Sequence, residues 1–406
     1  MVPKEWEIKT IGDIATVSSG GTPSRKEQAY WNGDIPWVTT AEVQFKTILD
    51  SAEKITKEGL TNSSAKLFPI NTILMAMYGQ GKTRGQVAKL GIEASTNQAC
   101  AAIILSSDYC VDYYYQFLIY QYENIRDMSN SGSQENLSGS IVKSIPVLVP
   151  PYFEQEKIAQ ILSTWDQAIL ATEKLLENSQ QQKKALMQQL LMGKKRLLDE
   201  NGVEFSDEWQ TLSLDSLFFF KKGKGLSKDS ISETGQNKCI LYGELYTKYS
   251  EVIDEIVSKT DSSEATLSMK GDILIPSSTT TSGIDLANAT ALLEENILLG
   301  GDINILRPKG EISSEFIAYL LTHIKKYEIA SRAQGITIIH LYGSDLKDIE
   351  VQIPVRVQEQ KKIAKFLSIV EKEMNVLQGK IVCLKKEKKA LMQQLLTGKK
   401  RVKVAA

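Results

Sequence analysis

The sequence predicts an α+β protein built twice: two globular α/β domains separated by two long antiparallel coiled-coil helices, in a pseudo-two-fold internal repeat. Three observations carry this. Residues 183–196 read KKALMQQLLMGKKR and residues 388–401 read KKALMQQLLTGKKR, identical at 13 of 14 positions and different only at Met192/Thr397. The offset of 205 residues holds without a gap back to Glu154-Gln155 and Glu359-Gln360, so the repeating unit is half the chain. Ahead of both copies, apolar residues recur in alternating steps of four and three, the pattern of a coiled-coil seam.

Composition bounds the reading. A chain of 406 residues has room for two or three domains with ample core. Lys plus Arg number 48 against 49 Asp plus Glu, a net charge of −1, which excludes a protein that coats nucleic acid by bulk charge. Any DNA contact must be local. Cys100, Cys110, Cys239 and Cys383 form no CxxC pair, and His323 and His340 are the only histidines. Neither a zinc site nor a disulfide framework is expected, and a cytoplasmic location is. No signal peptide or membrane-spanning run is expected either.

Taken in order, residues 1–150 form a first domain, opened by Glu5-Trp6. Glycine and proline punctuation at Ser19–Ser24 and in YWNGDIPWV (residues 30–38) predicts short strands. Asn71–Ala76 reads as a buried strand and Ala99–Leu105 as another, and Tyr113–Tyr122 reads as one helix. Residues 151–198 hold the first long helix, with Leu162, Ile169, Leu176, Lys183 and Leu190 in one register and Ile158, Trp165, Thr172, Ser179 and Leu186 in the other. At about 1.5 Å per residue its 40 or so residues span roughly 60 Å. Pro150-Pro151 precede it, and Gly193 ends it.

Residues 199–353 form the second domain, opened by Glu208-Trp209 at an offset of 203. Gly271–Pro276 and Asp302–Leu306 match the buried strands of the first domain, and Ser314–Tyr327 matches its helix. Leu137-x-x-Ser140-x-x-Lys143-x-Ile145-x-Val147 is repeated as Leu341-x-x-Ser344-x-x-Lys347-x-Ile349-x-Val351. Residues 354–406 hold the second long helix, with Leu367, Met374, Ile381, Lys388 and Leu395 against Ile363, Val370, Leu377, Leu384 and Leu391, ended by Gly398. Lys183 and Lys388 share one seam position and either fix register or snorkel to water. The cations at 194–196 and 399–401 suit the negative end of a helix dipole, either solvated or on phosphates.

Gly81-Lys82-Thr83 looks like the end of a phosphate-binding loop, but Ala76 stands where its first glycine belongs and no helix pattern follows. The better reading is a polar loop over 79–86, in which Gln80, Lys82, Arg84 and Gln86 suit base edges or phosphates. Ser133, Gln134 and Asn136 form a second such loop. In the second domain the matched place reads SSTTTSG (residues 277–283), so the candidates there are Thr279, Thr280 and Thr281 with Lys222, Lys224 and Tyr242, supported by Arg332 and Gln334. No nucleophile with a partner histidine, no nucleotide-binding glycine turn and no metal-ligand pattern is present.

The GGTPS…YWNGDIPWV run at 20–38, TNQACAAI at 96–103, the EQEKIA and EQKKIA helix starts at 154 and 359 and the LMQQLL-x-GKKR helix ends are together similar to the DNA-specificity subunit of type I restriction–modification systems. The resemblance covers essentially the whole chain. It implies two target-recognition domains that each read one half of a split double-stranded DNA sequence, with the helices as a ruler between the halves. It implies two methyltransferase subunits that use S-adenosylmethionine, two ATP- and Mg-dependent restriction subunits, and no catalytic group or cofactor in this chain. The alternative from the residues alone is a coiled-coil scaffold with two protein- or glycan-binding modules and no DNA role.

Overall fold

The computed structural model describes residues 3–79, 81–128 and 136–403. Two compact units emerge, Met1–Glu173 with Gly379–Ala406, and Lys174–Gln378. This grouping cuts across the four segments expected from the sequence, because each unit holds a globular domain together with part of both long helices. The cause lies in the cores. Ile158 and Leu162 from one helix and Met392, Leu395 and Leu396 from the other share a core with Ile11, Ile73 and Phe117. In the second unit Met187, Leu190 and Leu191 meet Ile363 and Leu367 over Leu214, Ile273 and Phe316.

In the first unit, Glu7–Thr10 pairs antiparallel with Pro146–Val149, bringing the two ends of the globular domain together. The main sheet runs in the order Ala15–Ser19, Cys100–Leu105, Ile73–Ala76, Val87–Leu90, Thr47–Ile48. Ile73–Ala76 is buried throughout, as its unbroken apolar run requires. A second sheet orders Glu53–Ile55, Trp31–Val38, Ala94–Thr96 and Leu67–Phe68.

The second unit repeats the frame. Trp209–Ser213 pairs with Glu350–Pro354, and its main sheet runs Phe218–Lys222, Ile303–Pro308, Asp272–Pro276, Thr290–Leu292. Each repeated Leu-x-x-Ser motif is tied to its sheet by the same bond: Leu137 N–H donates to Met77 O at 2.9 Å, and Leu341 N–H to Ser277 O at 3.0 Å.

The single helix expected over 113–122 is instead two, Val111–Tyr120 and Tyr122–Asp127, and its counterpart is Ser314–His323 and Lys326–Ser331. The breaks fall at Gln121 and around Ile324-Lys325. The change of direction puts Ile125 and Ile329 back into their cores, 1% and 0% exposed. Burying one isoleucine outweighs the backbone hydrogen bonds that a turn forgoes.

The long helices are Tyr152–Leu191 and Val357–Leu395. Every seam position named from the sequence is buried or half-buried in both. Within the first unit the start of one helix meets the end of the other, so the pair is antiparallel there, and the second unit repeats that arrangement. Both seam lysines find carboxylates on the facing helix: Lys388, 9% exposed, bonds Asp166 at 2.6 Å, and Lys183 lies 3.8 Å from Glu371. Gln116 and Tyr319 donate to those same acids at 2.6 and 3.0 Å. A lysine that needs an acid at one facing position fixes register, which answers the snorkelling alternative.

The terminal arginines are held by carboxylates, Arg196 half-buried and Arg401 more exposed. Arg196 grips Glu359 with two bonds of 2.6 and 2.7 Å, and Arg401 grips Glu154 in the same bidentate way. Gly193 and Gly398 take φ of +66° and +70°, and a Cβ there would stand 3.1 Å from Trp209 and 2.3 Å from Pro3. Glycine is required at both positions for conformation and for space.

Candidate nucleic-acid interface

The motifs that drew attention in the first domain turn out to be its frame. Gly20 lies so close to the end of strand Ala94–Thr96 in the second sheet that a Cβ would fall 1.9 Å from Thr96 O, and the neighbouring Gly21 N–H donates to that oxygen at 2.9 Å. The GGTPS and TNQACAAI runs therefore meet. Trp37 is buried and donates from its indole nitrogen to Gly21 O at 2.9 Å. Arg25 covers Trp31 at 3.8 Å and forks onto Glu53. In the second unit Gly223 repeats the close approach, against Gly300 O.

The candidate loops leave from this frame. In the first unit residues 77–86 join Ile73–Ala76 to Val87–Leu90. Lys82 is exposed there and Gln86 half-buried. Arg84 is only 8% exposed, so it is built into the loop where Lys82 is presented by it. Arg126 and Tyr122 brace the loop from below, donating to Gly81 O at 2.8 Å and to Lys82 O. Gln80, Ser133 and Gln134 lie outside the described residues; Asn136 is half-buried. Beside the loop lies a cleft of about 540 Å³ lined by Ser18, Ser19, Tyr78, Gln98, Ser140 and Lys143.

In the second unit the structure brings several candidates together. Ser278–Thr279 pairs with Ile339–His340, so the threonine loop stands beside the loop that carries Gln334. Thr279 is buried, and its hydroxyl lies 2.8 Å from that of exposed Thr281, which also donates to Asp285 at 2.5 Å. Thr280 is exposed. Lys222, at the end of its strand, lies 3.6 Å from Asp302, whose other oxygen accepts from Ser278 at 3.2 Å. Lys224 is exposed and follows the close turn at Gly223.

Two candidates are placed for other work. Arg332 is spent inside the unit, on Asp345 O at 2.8 Å, on Glu328 and on Asp348, whose carboxyl it holds below the usual range. Tyr242 is half-buried against the second core, and the Glu244 beside it accepts from Leu241 N–H at 2.9 Å and from Lys248 at 2.7 Å. Ser278, Asp302 and His340 have no signal in the sequence as site residues: the strand pairing brings Ser278 to His340 and a hydrogen bond brings it to Asp302, and no spacing links residues 278 and 340 before the fold is known.

No thiol is activated. Burial pushes Cys100 up to about 12 and Cys239 up to about 11, burial also raises Cys110, and the hydrogen bond to Glu387 raises Cys383. Among the described residues no cluster of three metal-ligating side chains occurs, and no helix is long and apolar enough to cross a membrane.

The chain is 27% identical over 432 aligned residues to the MjaIX type I restriction enzyme specificity subunit of Methanocaldococcus jannaschii, an alignment covering 99% of this chain and 95% of that one. It is 32% identical over 169 residues to the EcoR124I/EcoR124II specificity subunit of Escherichia coli, covering 40% and 41% of the two chains. In fold it is similar to the S subunit of a type I restriction–modification system from M. genitalium, with a TM-score of 0.63 at 17% identity over 97% and 96% of the chains. A chain from a structure of type I restriction–modification complex assembly and conformational transition gives 0.57 at 13% identity over 98% of each. Residues 3–179 and 206–386 both match the type I restriction modification DNA specificity domain. With that domain present twice over the same duplicated frame, the chain belongs to the family of type I restriction–modification specificity subunits.

Proposed function

We propose that each unit reads one half of a bipartite duplex target, through base contacts in the groove and cations on the flanking phosphates. The observation that carries this reading is the contrast between frame and loops. Strand pairings, glycine approaches and helix ion pairs repeat between the units, whereas GQGKTRGQ at 79–86 has become SSTTTSG at 277–283. Two copies of one scaffold carrying different polar loops suit two different half-sites. The presented groups are Lys82, Gln86 and Asn136 in the first unit, with Gln80, Ser133 and Gln134 in the same loops. In the second they are Lys222, Lys224, Thr280, Thr281 and Gln334, with Thr279 holding Thr281 in place.

As a specificity subunit the chain works on DNA with methyltransferase and restriction subunits. The two-fold repeat of its frame suits two of each. In this reading S-adenosylmethionine, ATP and Mg belong to those partners, the chain itself performs no chemistry, and its place of work is the cytoplasm. The test is DNA binding by the complex reconstituted with its methyltransferase subunit, followed over a range of salt. Log affinity should fall steeply and linearly with log salt, and Lys82→Ala and Lys222→Ala should each reduce the slope by about 1. Absent or salt-independent binding would favour the scaffold alternative.

A further inference from the structure

We propose that Ile336 is a specificity-determining residue that packs on the 5-methyl group of a thymine in the half-site read by the second unit. This rests on that unit being a DNA reader. Ile336 is 100% exposed, at the tip of a loop closed by reciprocal backbone bonds between Gln334 and His340 of 2.8 and 2.7 Å. Gly335 sets the tip's shape: its φ is +131°, and a Cβ there would lie 2.0 Å from Ile338 O. The tip is thus braced at its base and tightly turned. A β-branched side chain on it has few rotamers to lose on contact.

The tip's position ties it to the candidate interface. Thr279 pairs with Ile339 and Ser278 with His340, so the loop that carries Ile336 grows out of the strand paired with the start of the threonine loop. Ser278 also donates to Asp302, the acid facing Lys222. The loop that carries the isoleucine is therefore rooted at the same edge as the hydroxyls and the cation. On the same tip Ile338 is 49% exposed, while Gln334 and Thr337 are exposed and polar, which leaves two apolar side chains, with Ile336 the outermost, and not a protein-sized patch. In the major groove the thymine methyl is the apolar feature of the base-edge code; hydroxyl and amide groups do not sense it, and an isoleucine offers it a larger apolar surface than the methyl of a threonine. A hairpin tip is narrow enough to enter that groove.

The experiment uses the complex with the methyltransferase subunit and duplexes carrying its mapped target, with each thymine of the second half-site replaced in turn by deoxyuridine. One position should lower kcat/KM about fourfold in the wild type, the factor expected for one buried methyl group. The same replacement should have no effect with Ile336→Ala, which should show the fourfold loss on thymine already, while Ile336→Val keeps most of the discrimination. Three results would overturn the proposal: indifference to deoxyuridine at every position, an Ile336→Ala loss independent of the methyl group, or a loss traced by size-exclusion chromatography to failed subunit assembly. Salt-dependent binding and methylation of the target by the wild type separate a failure here from a failure of the DNA-reading assignment.

Discussion

Arg84 and Lys82 stand two residues apart in one loop, the first buried and the second exposed, so the proposed division between support and DNA contact can be tested on them. Arg84→Ala empties a buried position and should lower the unfolding midpoint, whereas Lys82→Ala should leave the midpoint unchanged and weaken DNA binding. Equal effects of the two on stability would contradict this division. Glu359 is 1% exposed under Arg196, so Glu359→Ala strands a guanidinium and should cost about 3–5 kcal/mol in urea unfolding. Replacing both partners by apolar residues should cost less. Glu251 is buried; burial raises its pKa, but the bond and charge of His323, a backbone hydrogen bond and the charge of Lys183 together outweigh this, and the net direction is downward from 4.5. A depressed carboxylate contributes stability that is complete above its unfolded value and is lost as pH falls through the folded one. Thermal melts from pH 7 to 3 should therefore show a steeper loss below about pH 4.5 for the wild type than for Glu251→Gln. Residue type alone does not show that Arg332 bonds Asp348 and Asp345 O, because an arginine beside a polar loop looks the same in sequence whatever it faces.

The long helices were legible because their period is local: a four–three alternation over ten seam positions per helix has no other simple reading. Their partners were not. Asp166 and Glu371 are ordinary helix acids until the facing strand of the coil puts Lys388 and Lys183 against them. The same holds for the break at Gln121, where the pull of Ile125 into the core is a tertiary effect that overrides helix propensity. Inserting one heptad into both helices preserves the seam and adds about 10 Å to each, close to three base pairs of duplex. The spacer between half-sites should lengthen by about that amount in mapped methylation. An unchanged spacer would show that the helices do not set it.

At the scale of the molecule, duplication explains which parts could be read in advance. Arg196 with Glu359 and Arg401 with Glu154 are one contact made twice, and both copies were visible as repeated sequence. The reading loops carry no such signature because they differ where the frame agrees, and their contacts depend on a DNA sequence the chain does not encode. The measurement that tests the account most directly is a map of methylated bases in a host carrying this chain and its methyltransferase. It would be repeated with the chain deleted, and with Thr279, Thr280, Thr281 and Gln334 altered. A split motif is expected that disappears on deletion and changes in one half only in the altered chain. The same motif without this chain, or an altered chain that changes both halves together, would contradict it.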